Sequence, residues 1–164
     1  MTINLEQRHM EPSWQQLKLV KVESTVALWS LAKDYIAGSR LLRFTVVDKD
    51  EQKQTASISW SPIKGTMCGA NGIVANPPKS GCLSTGAPYG ALIGKLGGSS
   101  ADIPDSSTPT APYGTKRVFA IGTHCVIALG GSEGGPLYLT MNDSPDGFAN
   151  HSGDLHVLIE EYGT

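Results

Sequence analysis

The sequence is short of charge and of cysteine, and these shortages exclude several functions before any motif is considered. Only 17% of the 164 residues are charged, the formal net charge is −2, and Lys and Arg are scattered singly. A surface that grips phosphates without regard to sequence needs a basic stripe, so no nucleic-acid partner is expected. A membrane-spanning helix needs a run of about 20 apolar residues, and the chain has none, so no membrane partner is expected. The opening MTINLEQRHMEPSW has neither the positive start nor the apolar stretch of a secretory signal. The cytoplasm is therefore the default location, with export by a route lacking a cleaved signal as the alternative. The three cysteines, Cys68, Cys82 and Cys125, are odd in number and lack CxxC spacing. That pattern argues against a zinc ribbon or a disulfide framework and for buried free thiols.

What the chain does have is turn-forming residues, with 19 glycines and 10 prolines beside a 40% hydrophobic content. Many short elements joined by turns favour β structure, and the length suits one domain. Residues 1–15, with Pro12 and little to bury, read as a loosely attached tail, and 16–164 as the domain. Leu17 to Val22 alternates with one slip, as a strand with a bulge would. Val26 to Ile36 fits a helix or a strand equally. Leu41 to Val47 alternates cleanly, and Ala56, Ile58 and Trp60 read as its return, giving a hairpin over 41–60. The Gly-, Pro-, Asn- and Ser-rich stretch from Pro62 to Pro88 exceeds a simple connection. Tyr89 to Leu96, Val118 to Ile121 and Cys125 to Leu129 read as strands, and Leu137 to Met141 with Leu155 to Ile159 as a hairpin-like pair. With no βαβ rhythm, the expected fold is an all-β antiparallel jelly-roll sandwich of about eight strands.

Most motifs dissolve when their chemistry is checked. Gly90, Gly94 and Lys95 lack the glycine and hydroxyl positions of a phosphate loop, and Gly130, Gly131, Gly134 and Gly135 lack dinucleotide spacing, leaving a hairpin turn as the better account. His124 and Cys125 are neighbours on a strand and face opposite ways. His156 alternates with Leu155 and Val157 and faces away from their core side. No acid and base pair of the kind a hydrolase requires emerges. The notable stretch is LYLTMNDSPDGFANHSGDLHVLI, Leu137 to Ile159, whose loop holds Asn142, Asp143, Asp146, Asn150, Ser152 and Asp154. Carboxylates, amide oxygens and carbonyls freed at Gly147 and Gly153 are the donors a hard cation such as Ca²⁺ takes. They are also the residues of ordinary turns.

Trp60, the block PYGALIGKLGGS from Pro88 to Ser99, and the terminal stretch occur in the order and approximate spacing of one known group. On these pieces the chain resembles the bacterial PA-IL (LecA) family of calcium-dependent galactose-binding lectins, over about residues 20 to 160. The resemblance implies a small jelly-roll sandwich that binds sugar through a bound Ca²⁺. It implies metal ligands at Asp143, at the Gly147 carbonyl, at Asn150 and at His151, which stands where the family has a second asparagine, with a further carbonyl near Ile63. Asp143, Gly147 and Asn150 would also meet the sugar. An imidazole removes one oxygen donor from that set. Pro77 and Ser80 occupy the positions of the family's histidine and glutamine that hold the sugar's exocyclic hydroxyl, and neither residue has that chemistry. The Asp48 to Gln54 hairpin end is longer than in the family, and the tail to Trp14 is extra.

The expectation is thus a non-enzymatic, galactoside-type carbohydrate-binding domain that uses Ca²⁺ and self-associates into a homo-oligomer, since several weak sites gain avidity. The alternative from a different class is an intracellular protein-interaction or assembly module on the same sandwich, without metal or sugar. Its partner would be a protein.

Overall fold

A computed structural model describes residues 11–50, 53–55, 58–78, 81–103 and 117–163. Among these, ten strands form two antiparallel sheets, as the composition foretold. The strands are β1 (Ser13–Glu23), β2 (Ser30–Ile36), β3 (Leu41–Val47), β4 (Trp60–Ile63), β5 (Thr66–Cys68), β6 (Leu92–Leu96), β7 (Arg117–Ala120), β8 (His124–Ala128), β9 (Gly135–Met141) and β10 (Ser152–Gly163). One sheet runs β5-β4-β10-β3-β8 with β1 also paired to β10, and the other runs β2-β9-β6-β7. No helix among the described residues is long and apolar enough to cross a membrane.

Strand β10 organises the larger sheet. Its alternation sends Leu155, Val157 and Ile159 inward and leaves His156, Leu158 and Glu160 half-buried on the outer face. That is the pattern of a sheet with one packed and one solvated side. Its first residues pair with β4 through Ser152–Ser61 and Gly153–Trp60, while its length is flanked by β1 and β3. Between the sheets these residues meet Leu42, Phe44, Trp60, Leu92, Leu137, Leu139 and Met141. All of β9 is buried, because a second cluster covers the outer face of its sheet. There Trp29, Leu83, Ala87, Ala91, Ile93, Tyr138 and Phe148 pack together.

Several sequence expectations require correction. Residues Ser13 to Gln15, assigned to the tail, open β1: they pair with Gly163, Tyr162 and Glu161. Trp14 stacks at 5.4 Å on Tyr162, and the Arg43 guanidinium lies 4.3 Å over its ring. The bulge in β1 falls between Gln16 and Lys18. The ambiguous Val26 to Ile36 stretch is a strand from Ser30, and register shifts against β9 explain why its apolar spacing mimicked a helix. The hairpin after β3 closes locally through the Val47–Gln54 bridge, whereas Trp60 belongs to β4, which pairs with β5 and β10. Ala56 lies outside the described residues. Leu137–Met141 and Leu155–Ile159 are not a hairpin, because β9 and β10 sit in different sheets and the loop between them crosses the sandwich. The Gly130 to Gly135 segment likewise passes from β8 in one sheet to β9 in the other. Cys68 and Cys82 are buried, Cys125 is partly buried, and all three are free thiols.

Candidate functional site

The crossing loop is where the oxygen-rich residues gather. Asn142 continues from β9, and its side chain fastens the neighbouring loop: Oδ1 accepts from Ser84 N–H at 2.9 Å, and Nδ2 donates to the carbonyls of Ser84, Ala87 and Pro88. Its backbone bonds Ala91 and Gly90. Asn142 is therefore a fully buried structural clamp rather than a ligand. After Asp143, Ser144 adopts an extended conformation and Pro145 starts a 3-10 helix over Pro145–Asn150, as its fixed φ favours. Phe148 inserts into the second core cluster and holds the helix down, and the ring of His151 rests on it at 4.5 Å.

The helix closes over a cavity of about 200 Å³ lined by Pro62, Ile63, Tyr89, Asp143, Ser144, Asp146, Gly147 and Asn150. Ile63, Asp143, Gly147 and Asn150, named from the sequence, thus share one cavity. His151 does not face it. It stands behind Asp143 with its side chain fully buried, Nε2 at 2.9 Å from Asp143 Oδ2 and Nδ1 at 2.9 Å from the carbonyl oxygen of Ser24. A carbonyl only accepts, so Nδ1 donates to Ser24. One further proton must then lie between Nε2 and the Asp143 carboxyl, whichever atom carries it. On the other oxygen, Asp143 Oδ1 accepts from Ser144 N–H at 2.7 Å and lies 3.4 Å from the Ser144 hydroxyl.

Tyr89 completes the wall. Its hydroxyl hydrogen-bonds the Asp143 carboxyl and lies 3.5 Å from the Pro62 carbonyl. Burial first, and then the charge of Asp143, push the phenol up to about 12 from its usual 10. The folded state therefore holds the phenolic proton more tightly than the unfolded chain. This contribution is intact below pH 10 and is lost as pH rises towards 12. Tyr89→Phe is expected to flatten the stability loss between pH 10 and 12 relative to wild type in denaturant titrations. Identical slopes for the two proteins would refute the buried phenol.

The donor set fits calcium poorly. Ca²⁺ takes six to eight oxygens, and the cavity does present Asp146, Asn150 and carbonyls. However, both oxygens of its most buried carboxylate already have protein partners, and both ring nitrogens of His151 are used within the protein. The Ile63 carbonyl accepts from Ser61 Oγ at 2.5 Å. The Gly147 Cα packs on the Asp143 carboxylate so closely that a Cβ there would lie 2.2 Å from Oδ2. Among the described residues no three His, Cys, Asp or Glu side chains cluster as metal ligands. Pro77 is exposed, and Ser80 lies outside the described residues.

Sequence reasoning missed Tyr89 and Ser24 as members of this constellation. Tyr89 carried a signal, an aromatic opening the stretch Tyr89 to Leu96 on which the resemblance partly rests. Ser24 carried none, since 127 residues separate it from His151.

No family model matches the chain, and no curated protein matches it. Among solved structures, the chain is similar to one described as an EclA N-terminal domain, a PllA-like lectin. The TM-score is 0.54 at 14% identity, covering 92% of this chain and 97% of that one. The likeness establishes a shared fold along nearly the whole of both chains, an all-β antiparallel sandwich.

Proposed function

We propose that the protein is a non-enzymatic carbohydrate-binding domain, and that its site is the cavity between β4, Tyr89 and the 3-10 helix. The observation that carries this reading is the convergence of Asp143, Gly147 and Asn150, from one loop, with Ile63, distant in sequence, on one small cavity. It presents carboxylate, amide, hydroxyl and carbonyl groups beside an aromatic ring, the mixture that orients a polyhydroxylated ligand. The lectin described above shares the fold and lends the reading support. Galactose-type specificity is its finer form; the oxygen donors at the cavity favour calcium dependence as well, but the closed His151–Asp143 contact weighs against it. A homo-oligomer would raise the avidity of so small a site.

A glycan array followed by calorimetry tests the reading, with Asp146→Ala as the comparison because Asp146 is exposed at the cavity and bears no visible structural load. Loss of a hydrogen bond to a charged group predicts an affinity reduced about tenfold or more, with melting temperature unchanged. An empty array together with recovery of one specific protein partner would favour the interaction-module alternative.

A further inference from the structure

We propose that this site works without a metal ion, because His151, from behind Asp143, supplies the charge compensation that a divalent cation in the cavity would otherwise supply. The sugar half of this inference rests on the function proposed above, and the metal half stands on its own. A buried carboxylate requires a compensating partner. Here it has one, since the proton that lies between His151 Nε2 and Asp143 Oδ2 gives the carboxyl a hydrogen-bonded partner from behind. The imidazole cannot easily swing away to admit an ion. Its Nδ1 is tied to the Ser24 carbonyl, its ring lies on Phe148, and its backbone N–H bonds the Phe148 carbonyl at 3.2 Å.

Ser24 is itself fixed, its N–H and hydroxyl both donating to the Gly153 carbonyl at 3.1 and 2.7 Å. The lock therefore runs from Ser24, just past the end of β1, through His151 to the cavity wall. An asparagine at 151 could reach neither the Ser24 carbonyl nor Asp143 in this way, and its amide oxygen would be one more donor for a hard cation. What the cavity offers a ligand is thus a set of hydrogen-bonding groups, the Asp146 carboxylate, the Asn150 amide and the Tyr89 hydroxyl.

The test uses calcium chloride and EDTA on the whole chain, with equilibrium dialysis, thermal melts and sugar binding read separately. Wild type is expected to bind no calcium saturably and to melt at the same temperature in either solution. His151→Asn is expected to gain calcium binding and to melt about 5–10 °C higher when calcium exceeds its Kd a hundredfold. Saturable calcium binding by wild type, removed by Asp146→Ala, would overturn the proposal even if the His151 variant fails to fold. A folded His151→Asn protein indifferent to calcium would overturn the assignment to His151. Sugar binding that persists in EDTA supports both proposals, and sugar binding only with calcium overturns this one. No sugar binding in either solution overturns the carbohydrate reading while the calcium measurements still decide the metal question.

Discussion

Asp102→Ala is expected to cost about 3–5 kcal/mol in chemical denaturation, as removal of one partner from a buried ion pair does. Lys95 is 1% exposed and Asp102 5%, with Nζ and Oδ2 2.7 Å apart. The ammonium also donates to the Ser99 carbonyl and sits 5.0 Å from the Trp29 ring and 4.7 Å from the Tyr138 ring. Asp102 Oδ2 further accepts from Ser99 N–H at 2.8 Å, while its carbonyl takes the Trp29 indole N–H at 3.0 Å. Alanine at 102 would leave a charged amine in an apolar strand with its main counter-charge gone. The double variant Lys95→Met/Asp102→Ala should recover much of the loss, because an apolar pair needs no counter-charge. Trp29 and Tyr138 belong to the cluster that also holds Phe148, so loosening them should reach the 3-10 helix and weaken ligand binding. A cost below about 1 kcal/mol, the range of surface pairs, would show that this pair is not buried in solution.

Alternation and turn residues are local properties, and what they encode was legible. Leu41 to Val47 buries Leu42, Phe44 and Val46 as its pattern requires, and the crossing loop announced its oxygen donors in composition alone. Partner choice is not local. Both Leu137–Met141 and Leu155–Ile159 look like strands, but a pattern of faces does not say whether two strands share a sheet. The clue lay in the difference between them. LYLTM is covered on both sides, whereas LHVLIEEY keeps a half-polar face, and continuous burial belongs to a strand between two layers. The site divides likewise. Asp143, Gly147 and Asn150 come from one loop and were visible together, and Ile63 followed from the resemblance. His151 was visible as a residue but not as a contact, because its role depends on Ser24, which directly follows a strand whose pairing with β10 no local pattern specifies.

Gly153 is where that long-range pairing meets the site, and Gly153→Ala should show the coupling. Its φ of +87° lies in the left-handed region, and a Cβ would stand 2.3 Å from the Ser59 carbonyl oxygen and 2.7 Å from the Trp60 Cα. Both contacts are backbone and cannot rotate aside. Left-handed strain of about 1–2 kcal/mol and overpacking of about 1–3 kcal/mol together predict a loss of roughly 2–5 kcal/mol. Relief must come from parting β10 and β4, which carries Ile63 and Pro62 into the cavity wall. It must also shift the carbonyl that holds Ser24, and so the His151 lock on Asp143. Ligand affinity should accordingly fall in the population that remains folded. Gly163→Ala is the control, since no atom lies within 4 Å of a Cβ there, and its effect should stay within about 0.5 kcal/mol. Denaturation midpoints that coincide for the two variants would mean that β4 yields freely at Gly153, and the cavity wall would then have no rigid support from β10.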